Sequence, residues 1–369
     1  HNPTLIYNYI KKCNHRGPDG EKVWWDPEHK ITLGHNLLSI MSDPKLSVQP
    51  WKTPKGNWLI YNGEIFNYYQ LKEKYKDKGF AGITGCDTEL LAWGLDEFGL
   101  DFINEIDSMH SFAYYKITAD ELWISRDHAG IKPLYYAEVK QGLIFGSEIK
   151  GLLEHVPGSN KIDPLAFSCM SHVGLNPTKN TFFSNIKKLL CGETIIYDLQ
   201  NKRIKKRKRN IIIPTNDHSF NAEEFREVTR ESVKLCSIGR RKIGIFLSGG
   251  LDSGMVAYEY KQLHGTANTY TNNMDPNVIW REDDHNDDHK KALQLAQQYK
   301  FNHKVVTMTP KILTEMWDNS IYFMEQPVYN PSMVMYYYTN KVLSEDGIVV
   351  TLAGDMGDEV LGGYPKYWK

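Results

Sequence analysis

The sequence predicts an α/β protein in two parts: an N-terminal α+β domain built on an antiparallel sheet, followed by a domain with a doubly wound parallel sheet. Two observations carry this. Through residue 150, short aromatic or β-branched runs follow one another at close spacing, as hairpin-connected antiparallel strands do. From residue 220, apolar strand-like runs alternate with amphipathic helical segments, the pattern of βαβ units in a parallel sheet. The expected parts are residues 1–195, a basic strand and linker at 196–219, and residues 220–369.

A chain of 369 residues has room for two cores. A net charge of −1 offers no global attraction to nucleic acid or to anionic membranes, so neither is an expected partner. There is no run of bilayer-spanning length and no basic-plus-apolar leader, which points to a cytoplasmic home. Cys13, Cys86, Cys169, Cys191 and Cys236 are odd in number and include no Cys-x-x-Cys pair, which argues against a disulfide framework or a zinc site. The chain opens on His1 rather than Met and ends at Lys369, directly after a glycine-rich stretch, so a fragment is expected.

In order along the chain, Asn14 to Gly20 is a turn, on its Gly, Pro and Asp content. Trp58 to Tyr61 reads as a strand that ends at Asn62-Gly63-Glu64. Residues 68–78 read as a surface helix stopped by Gly79. A second helix follows Asp87-Thr88, with Leu91, Leu95 and Phe98 as one buried stripe. Residues 110–117, 121–126, 133–138 and 142–147 read as strands. The basic run Asn201 to Asn210 has no interleaved aromatic residues. A solvated hairpin or linker is therefore preferred to a nucleic-acid or localisation segment, and Pro214 and Asn216 fit the linker.

The second part opens with a polar helix, Ala222 to Leu235, and an apolar run from 242 that stops at Ser248. Met255, Val256, Tyr260 and Leu263 then give a helix with an apolar side, and residues 269–274 a strand. The acidic stretch Glu282 to Asp288 precedes a helix carrying Ala292, Leu295, Ala296 and Tyr299 on one face. Lys304 to Met308 is a third strand, Pro331-Ser332 caps another helix, and Gly347 to Leu352 is a fourth strand.

Chemistry concentrates in two stretches. At Ser248-Gly249-Gly250-Leu251-Asp252-Ser253 the glycines let the backbone curl so that several N–H groups converge on an anion at a helix N-terminus. Ser-Gly-Gly alone would be an ordinary strand-to-helix turn; the six residues behind a buried strand favour anion binding. Ligands of such sheets bind beyond the carboxyl ends of the strands, where both Ser248 and Gly354 fall. In Ala353-Gly354-Asp355-Met356-Gly357-Asp358-Glu359, three carboxylates at the same sheet edge as Asp252 would repel one another without a cation. Magnesium on nucleotide phosphates resolves this. For Glu359, simple stabilisation at a helix N-terminus stays open.

The first stretch resembles the pyrophosphate loop of the ATP pyrophosphatases. The second, with Glu325-Gln-Pro327 and Asn330-Pro331-Ser332, is similar to glutamine-hydrolysing asparagine synthases. His15-Arg16-Gly17-Pro18-Asp19-Gly20, Asn62 to Asn67, Asp87-Thr88-Glu89, Arg126 to Tyr136 and Gly146 to Lys150 resemble that family's class II glutamine amidotransferase domain. The resemblance covers nearly the whole chain, the basic run included. It implies that ATP and aspartate react to β-aspartyl-AMP and pyrophosphate, and that ammonia then displaces AMP. By the same resemblance Phe246, Leu247, Ser248, Gly249, Gly250, Leu251, Asp252, Ser253, Asn272, Ala353 and Gly354 contact ATP. Asp252 and Asp358 hold Mg2+, and Asp355 accepts a proton from the attacking amine or orients it. In the first domain Asn62 and Gly63 would stabilise the oxyanion, Glu64 and Asp87 hold the amino end of glutamine, and Leu37, Leu38, Ser39, Ile40 and Met41 line the site. A homodimer is left open.

Two departures stand out. The family's nucleophile is an N-terminal cysteine whose own amine is the base; it is not among the 369 residues. Cys13, internal and at a helix end, is expected to be a structural thiol. The family has Arg at the Leu37 position to grip the glutamine α-carboxylate, which leucine cannot do. Either truncation removed the cysteine, or the site is inactive and the synthetase takes free ammonia; glutamine use is expected to be poor even with the N-terminus restored. The alternatives are a ring-closing relative similar to the β-lactam synthetases and a non-catalytic binding module.

Overall fold

Period-two alternation organises the first of the two units into which the chain divides, His1–Asn216 and Asp217–Lys369. The structure, a computed structural model, describes residues 3–211, 220–275, 287–327 and 332–364. Pro214, Asn216, Glu282 to Asn286, Asn330 and Pro331 lie outside the described residues.

The first unit begins with α1 (Pro3–Lys12) and the hairpin β1 (Gly20–Asp26) and β2 (Ile31–Leu37). There follow β3 (Trp51–Lys52), β4 (Trp58–Ile65), α2 (Tyr68–Tyr75), α3 (Asp87–Phe98), β5 (Ser108–Lys116) and β6 (Glu121–Arg126). Then come β7 (Tyr135–Val139), β8 (Gly142–Gly146), α4 (Pro164–Val173), β9 (Lys187–Lys188), β10 (Glu193–Asp198) and β11 (Arg203–Arg209). A six-stranded sheet in the order β11-β10-β6-β5-β4-β3 is antiparallel throughout. On one face Leu59, Tyr61, Phe112 and Tyr114 pack against Leu71 and Tyr75 of α2 and Leu90, Leu91 and Leu95 of α3. On the other, Ala113, Tyr115, Leu122 and Ile124 pack against Ile31 and Leu33 of β2 and Tyr136 of β7. Successive side chains of a strand point to opposite faces, so burial of both faces accounts for the continuous apolar run of β5.

Two local expectations need correction. β4 does not end before Asn62-Gly63-Glu64 but runs through them to Ile65, because β5 pairs with it residue by residue as far as Ser108. Phe98 is 41% exposed at the end of the stripe, where it stacks on Phe102. As expected of a solvated hairpin, the basic run forms the outermost strand β11 paired with β10, in which Lys205 pairs with Glu121 and Arg207 with Glu193; lysines on an edge strand discourage further pairing.

The second unit contains α5 (Ala222–Cys236), β12 (Ile243–Phe246), α6 (Leu251–His264), β13 (Asn268–Met274), α7 (Asp287–Gln298) and β14 (Asn302–Met308). It continues with α8 (Pro310–Met324), α9 (Ser332–Glu345), β15 (Val350–Leu352) and the short α10 (Gly357–Leu361). The sheet order is β14-β13-β12-β15, all parallel. Ile245 and Leu247 pack with Ala257 of α6 and Ala292 and Ala296 of α7 on one face. Tyr270 and Val306 pack with Val342 and Leu343 of α9 on the other, so the sheet is doubly wound. The helix α8 had no counterpart in the sequence reading, although Thr309 caps it through the Ile312 N–H and Pro310 occupies its first turn.

Candidate functional site

In the second unit the chain runs outward from β12 to β13 and β14, then returns to β15 on the other side of β12. That reversal is the switch point at which open parallel sheets bind ligands. The loop after β12 and the segment after β15 meet there. A Cβ on Gly354 would lie 2.6 Å from Ser253 N and 2.8 Å from Asp252 Cβ. One on Gly357 would lie 2.5 Å from an Asp252 carboxylate oxygen. The loop itself is tightly made. Gly249 has φ +85°, and a Cβ there would fall 2.6 Å from the Asp288 carbonyl at the start of α7, so only glycine fits on both counts. Two of its amides are engaged internally. Ser248 N–H donates to Ser253 Oγ at 3.1 Å and Gly250 N–H to Ser248 Oγ at 3.3 Å.

Burial first, and then Asp358 and Glu359, push the Asp252 carboxyl above its ordinary value, so the three acidic groups sense one another. Among the described residues no cluster of three or more His, Cys, Asp or Glu side chains is arranged to hold a metal. The donor chemistry nonetheless suits a magnesium ion, which takes one or two carboxylates and completes its shell with phosphate and water oxygens. Gly363 packs directly on the Asp358 carboxylate, where a Cβ would overlap it. The other sequence-derived positions lie around the same strand ends. Leu247 is buried and its N–H donates to the Tyr270 carbonyl at 2.8 Å, Leu251 is 80% exposed, and the Phe246 ring meets Tyr336 edge-on at 5.8 Å. Asn272, near the end of β13, accepts a hydrogen bond from Thr339 of α9. Ala353 is half-buried, and Asp355 is exposed and acts electrostatically on Tyr336.

In the first unit Asn62, Gly63 and Glu64 lie in the C-terminal half of strand β4. Asp87 is joined to them at the start of α3, accepting Ile65 N–H at 3.1 Å, the Tyr61 hydroxyl at 3.2 Å and Thr88 N–H at 2.9 Å. Gly63 faces Met109 so closely that a Cβ would lie 2.2 Å from its carbonyl oxygen. Burial, and then the Asp87 charge, raise the Glu64 carboxyl far above its usual range. Burial raises Asp87 as well, but the bonds from Ile65, Tyr61 and Thr88 oppose this. Of the two, Asp87 is the more readily ionised, because it has hydrogen-bond donors and Glu64 Oε1 has none. Among the described residues Glu64 Oε1 and Asn62 Nδ2 are buried without a hydrogen-bond partner, an arrangement that invites a ligand.

The 37–41 segment leaves β2, which is tied to β4 by the contact of 3.1 Å between His35 Nε2 and the Tyr61 carbonyl. Leu37 is buried, and its carbonyl accepts Asp19 N–H at 2.9 Å. Ser39 is buried and donates its N–H to Asp19 at 2.9 Å. Ile40 and Met41 are half-buried, and Leu38 is 37% exposed.

Sequence reading singled out His15-Arg16 and Glu148-Lys150 as separate motifs, and the fold brings them together. Buried Glu148 meets His15 Nε2 at 2.8 Å, Arg16 at 3.3 Å and Lys150 at 2.5 Å. Burial pushes its carboxyl up, but the bonds from His15 and Lys150 outweigh this and hold it down at about 2. Cys13 adjoins the cluster, and burial followed by the Glu148 charge pushes its thiol up to about 12, so it stays protonated and packs as a structural thiol. A carboxyl with a lowered folded-state value stabilises above its unfolded value near 4.5 and loses that contribution as pH falls toward about 2. Glu148→Gln is therefore expected to cost about 2–4 kcal/mol at pH 7 and nothing comparable near pH 2. Urea unfolding followed by tryptophan fluorescence at the two pH values tests this; an equal loss at both would show that shape, not charge, matters there.

Residues 1–208 match the family model of the glutamine amidotransferase domain, and residues 224–369 that of asparagine synthase. A Methanocaldococcus jannaschii protein provisionally named asparagine synthetase (glutamine-hydrolyzing) 2 is 27% identical over 386 residues, 98% of this chain and 73% of its own. Asparagine synthetases (glutamine-hydrolyzing) 2 and 3 of Bacillus subtilis are 29% and 26% identical over 384 and 371 residues, 98% and 95% of this chain. The chain spans 49% and 59% of the length of those two relatives. No helix among the described residues is long and apolar enough to cross a membrane.

Proposed function

Because the chain belongs to the glutamine amidotransferase domain family and carries an asparagine synthase domain behind it, we propose that it is an AMP-forming ligase that amidates aspartate to asparagine. The observation that supports this most is the contact of Gly354 and Gly357 with Asp252, which draws carboxylates from two strand ends to one point at the switch of the sheet. ATP would lie across that point, with its base beside Phe246, Leu247 and Asn272 and its α-phosphate toward Ala353 and Gly354. The amides of the Ser248 loop would turn from the Ser253 and Ser248 hydroxyls to the pyrophosphate. Magnesium held by Asp252 and Asp358 would offset the phosphate charge. A side-chain oxygen of aspartate attacks the α-phosphorus, and the bond to the bridging oxygen breaks and releases pyrophosphate. Ammonia then attacks the acyl carbon, its proton passing toward Asp355, and the C–O bond to AMP breaks. Positioning and charge stabilisation carry such a reaction.

Glutamine is the proposed nitrogen source in the first unit. Its α-ammonium would supply the partner that Glu64 Oε1 lacks and allow that carboxyl to ionise beside Asp87. The Asn62 amide and the Gly63 N–H would meet the oxyanion formed on its side-chain amide. The apolar Leu37 favours a second reading for this half, in which free ammonia serves better than glutamine. The five cysteines are all free, which suits the cytoplasmic setting proposed for such an enzyme.

The full-length protein, given ATP, magnesium, ammonium and each of several amino acids, is expected to form AMP with aspartate above all others. Replacing ammonium by glutamine is expected to lower the rate. AMP formation with no amino acid would remove the ligase reading, and equal rates with the two nitrogen donors would remove the second.

A further inference from the structure

Lys132 has no task in the reaction just described, and its surroundings suggest one. Its backbone is held on both sides. Asp127 Oδ2 accepts the Lys132 N–H at 3.0 Å, and the Lys132 carbonyl accepts from Arg126 Nε at 2.7 Å. The same Asp127 oxygen accepts the N–H of His110 at 3.2 Å, and His110 is the residue of β5 paired with Gly63. An unbroken set of bonds thus fixes the root of this side chain to the strand pair that carries Asn62, Gly63 and Glu64.

The ammonium itself has no hydrogen bond or ion pair among the described residues. It is half-buried. Burial first, and then the Arg16 charge, lower its proton affinity, while Glu64 and Asp127 act the other way. The Lys132 ammonium and the Glu64 carboxyl therefore act electrostatically on one another without bonding to each other, the ammonium favouring the ionised carboxyl. Poorly solvated groups left in that state are costly and call for an explanation, and a ligand that meets both is one. A zwitterion satisfies both at once, its ammonium on Glu64 and its carboxylate on the lysine. Two positions that could have offered a cation for this role do not. Arg16 is engaged by Glu148, and the buried Leu37 offers none.

We propose that Lys132 is the specificity-determining residue that binds the α-carboxylate of the amino acid held in the first unit. The proposal rests on the glutamine reading above, and explains how that site selects a free amino acid with an apolar residue at position 37.

The test titrates the full-length protein and its Lys132→Met and Lys132→Arg variants with L-glutamine and with 4-aminobutanamide, which keeps the amine and the amide but lacks the carboxylate. Wild type is expected to bind L-glutamine about 10–100-fold more tightly than the analogue, the usual size of a charge-assisted bond. Lys132→Met is expected to lose that preference and leave analogue binding within about twofold, while Lys132→Arg retains most of it. The thermal midpoint of the methionine variant is expected to hold or rise, since a desolvated charge is removed. Equal wild-type affinity for the two ligands, or undiminished preference in Lys132→Met, overturns the assignment and leaves the glutamine site standing. A lowered midpoint with equal losses for both ligands marks a structural role and overturns it too. Failure of wild type to bind either ligand removes the glutamine reading, and this assignment with it.

Discussion

Asp252→Asn is expected to abolish aspartate-dependent pyrophosphate release, lowering it by at least about 10²–10³-fold, the scale of removing a preorganised electrostatic partner from a reacting phosphate. The substitution is nearly isosteric, so the helix α6 and the Gly354 to Gly357 segment packed on the side chain have no steric reason to move. It also removes a charge that burial and the neighbouring Asp358 and Glu359 disfavour. Folding is accordingly expected to be unharmed or slightly stabilised near pH 7, where the raised carboxyl of the wild type is costly to ionise. Release of pyrophosphate at the wild-type rate would show that Asp252 holds no phosphate-bound magnesium. A fall in activity accompanied by a lower melting midpoint would instead make the residue structural.

Gly63→Ala carries the second large effect, in the other unit. The conflict is with backbone: the added methyl would lie 2.2 Å from the Met109 carbonyl oxygen and 2.7 Å from the Tyr61 ring. No side-chain rotation relieves the first of these, so β4 and β5 must part at their end. Overpacking of this kind costs about 2–3 kcal/mol, which for a unit of this size lowers the midpoint by about 5–10 °C. The same movement takes Asn62 and Glu64 out of register. Glutamine-dependent product is expected to vanish while ammonium-dependent product persists. Thermal scans paired with the two assays check this, and an unshifted midpoint would mean that the strand end yields without cost.

The tight loop between β12 and α6 was legible in the sequence because its determinants are contiguous: an apolar strand, two glycines and an aspartate at a helix start, each acting over a few residues. Asn62-Gly63-Glu64 was legible as a motif but not as a strand, since only pairing with residues 108–111, distant in the chain, carries β4 through it. Phe98 was misjudged for a related reason. Its spacing matches the buried stripe of α3, yet the helix ends there and the ring is only partly covered. Helix α8 carried its own cap and proline and was overlooked. Lys132 could not be singled out, because the groups that define it come from residues 16, 64, 110 and 127.

By itself, then, the sequence determined the two sheet types and most of the segments that build them, because periodicity, turn residues and helix caps act locally. Only the tertiary structure decided which groups share a site and in what state. It set Asp87 among donors and left Glu64 without one, gathered His15, Arg16 and Lys150 on Glu148, and pressed Gly357 against Asp252. Protonation and pairing depend on burial and on neighbours far away in the chain, and those are properties of packing alone.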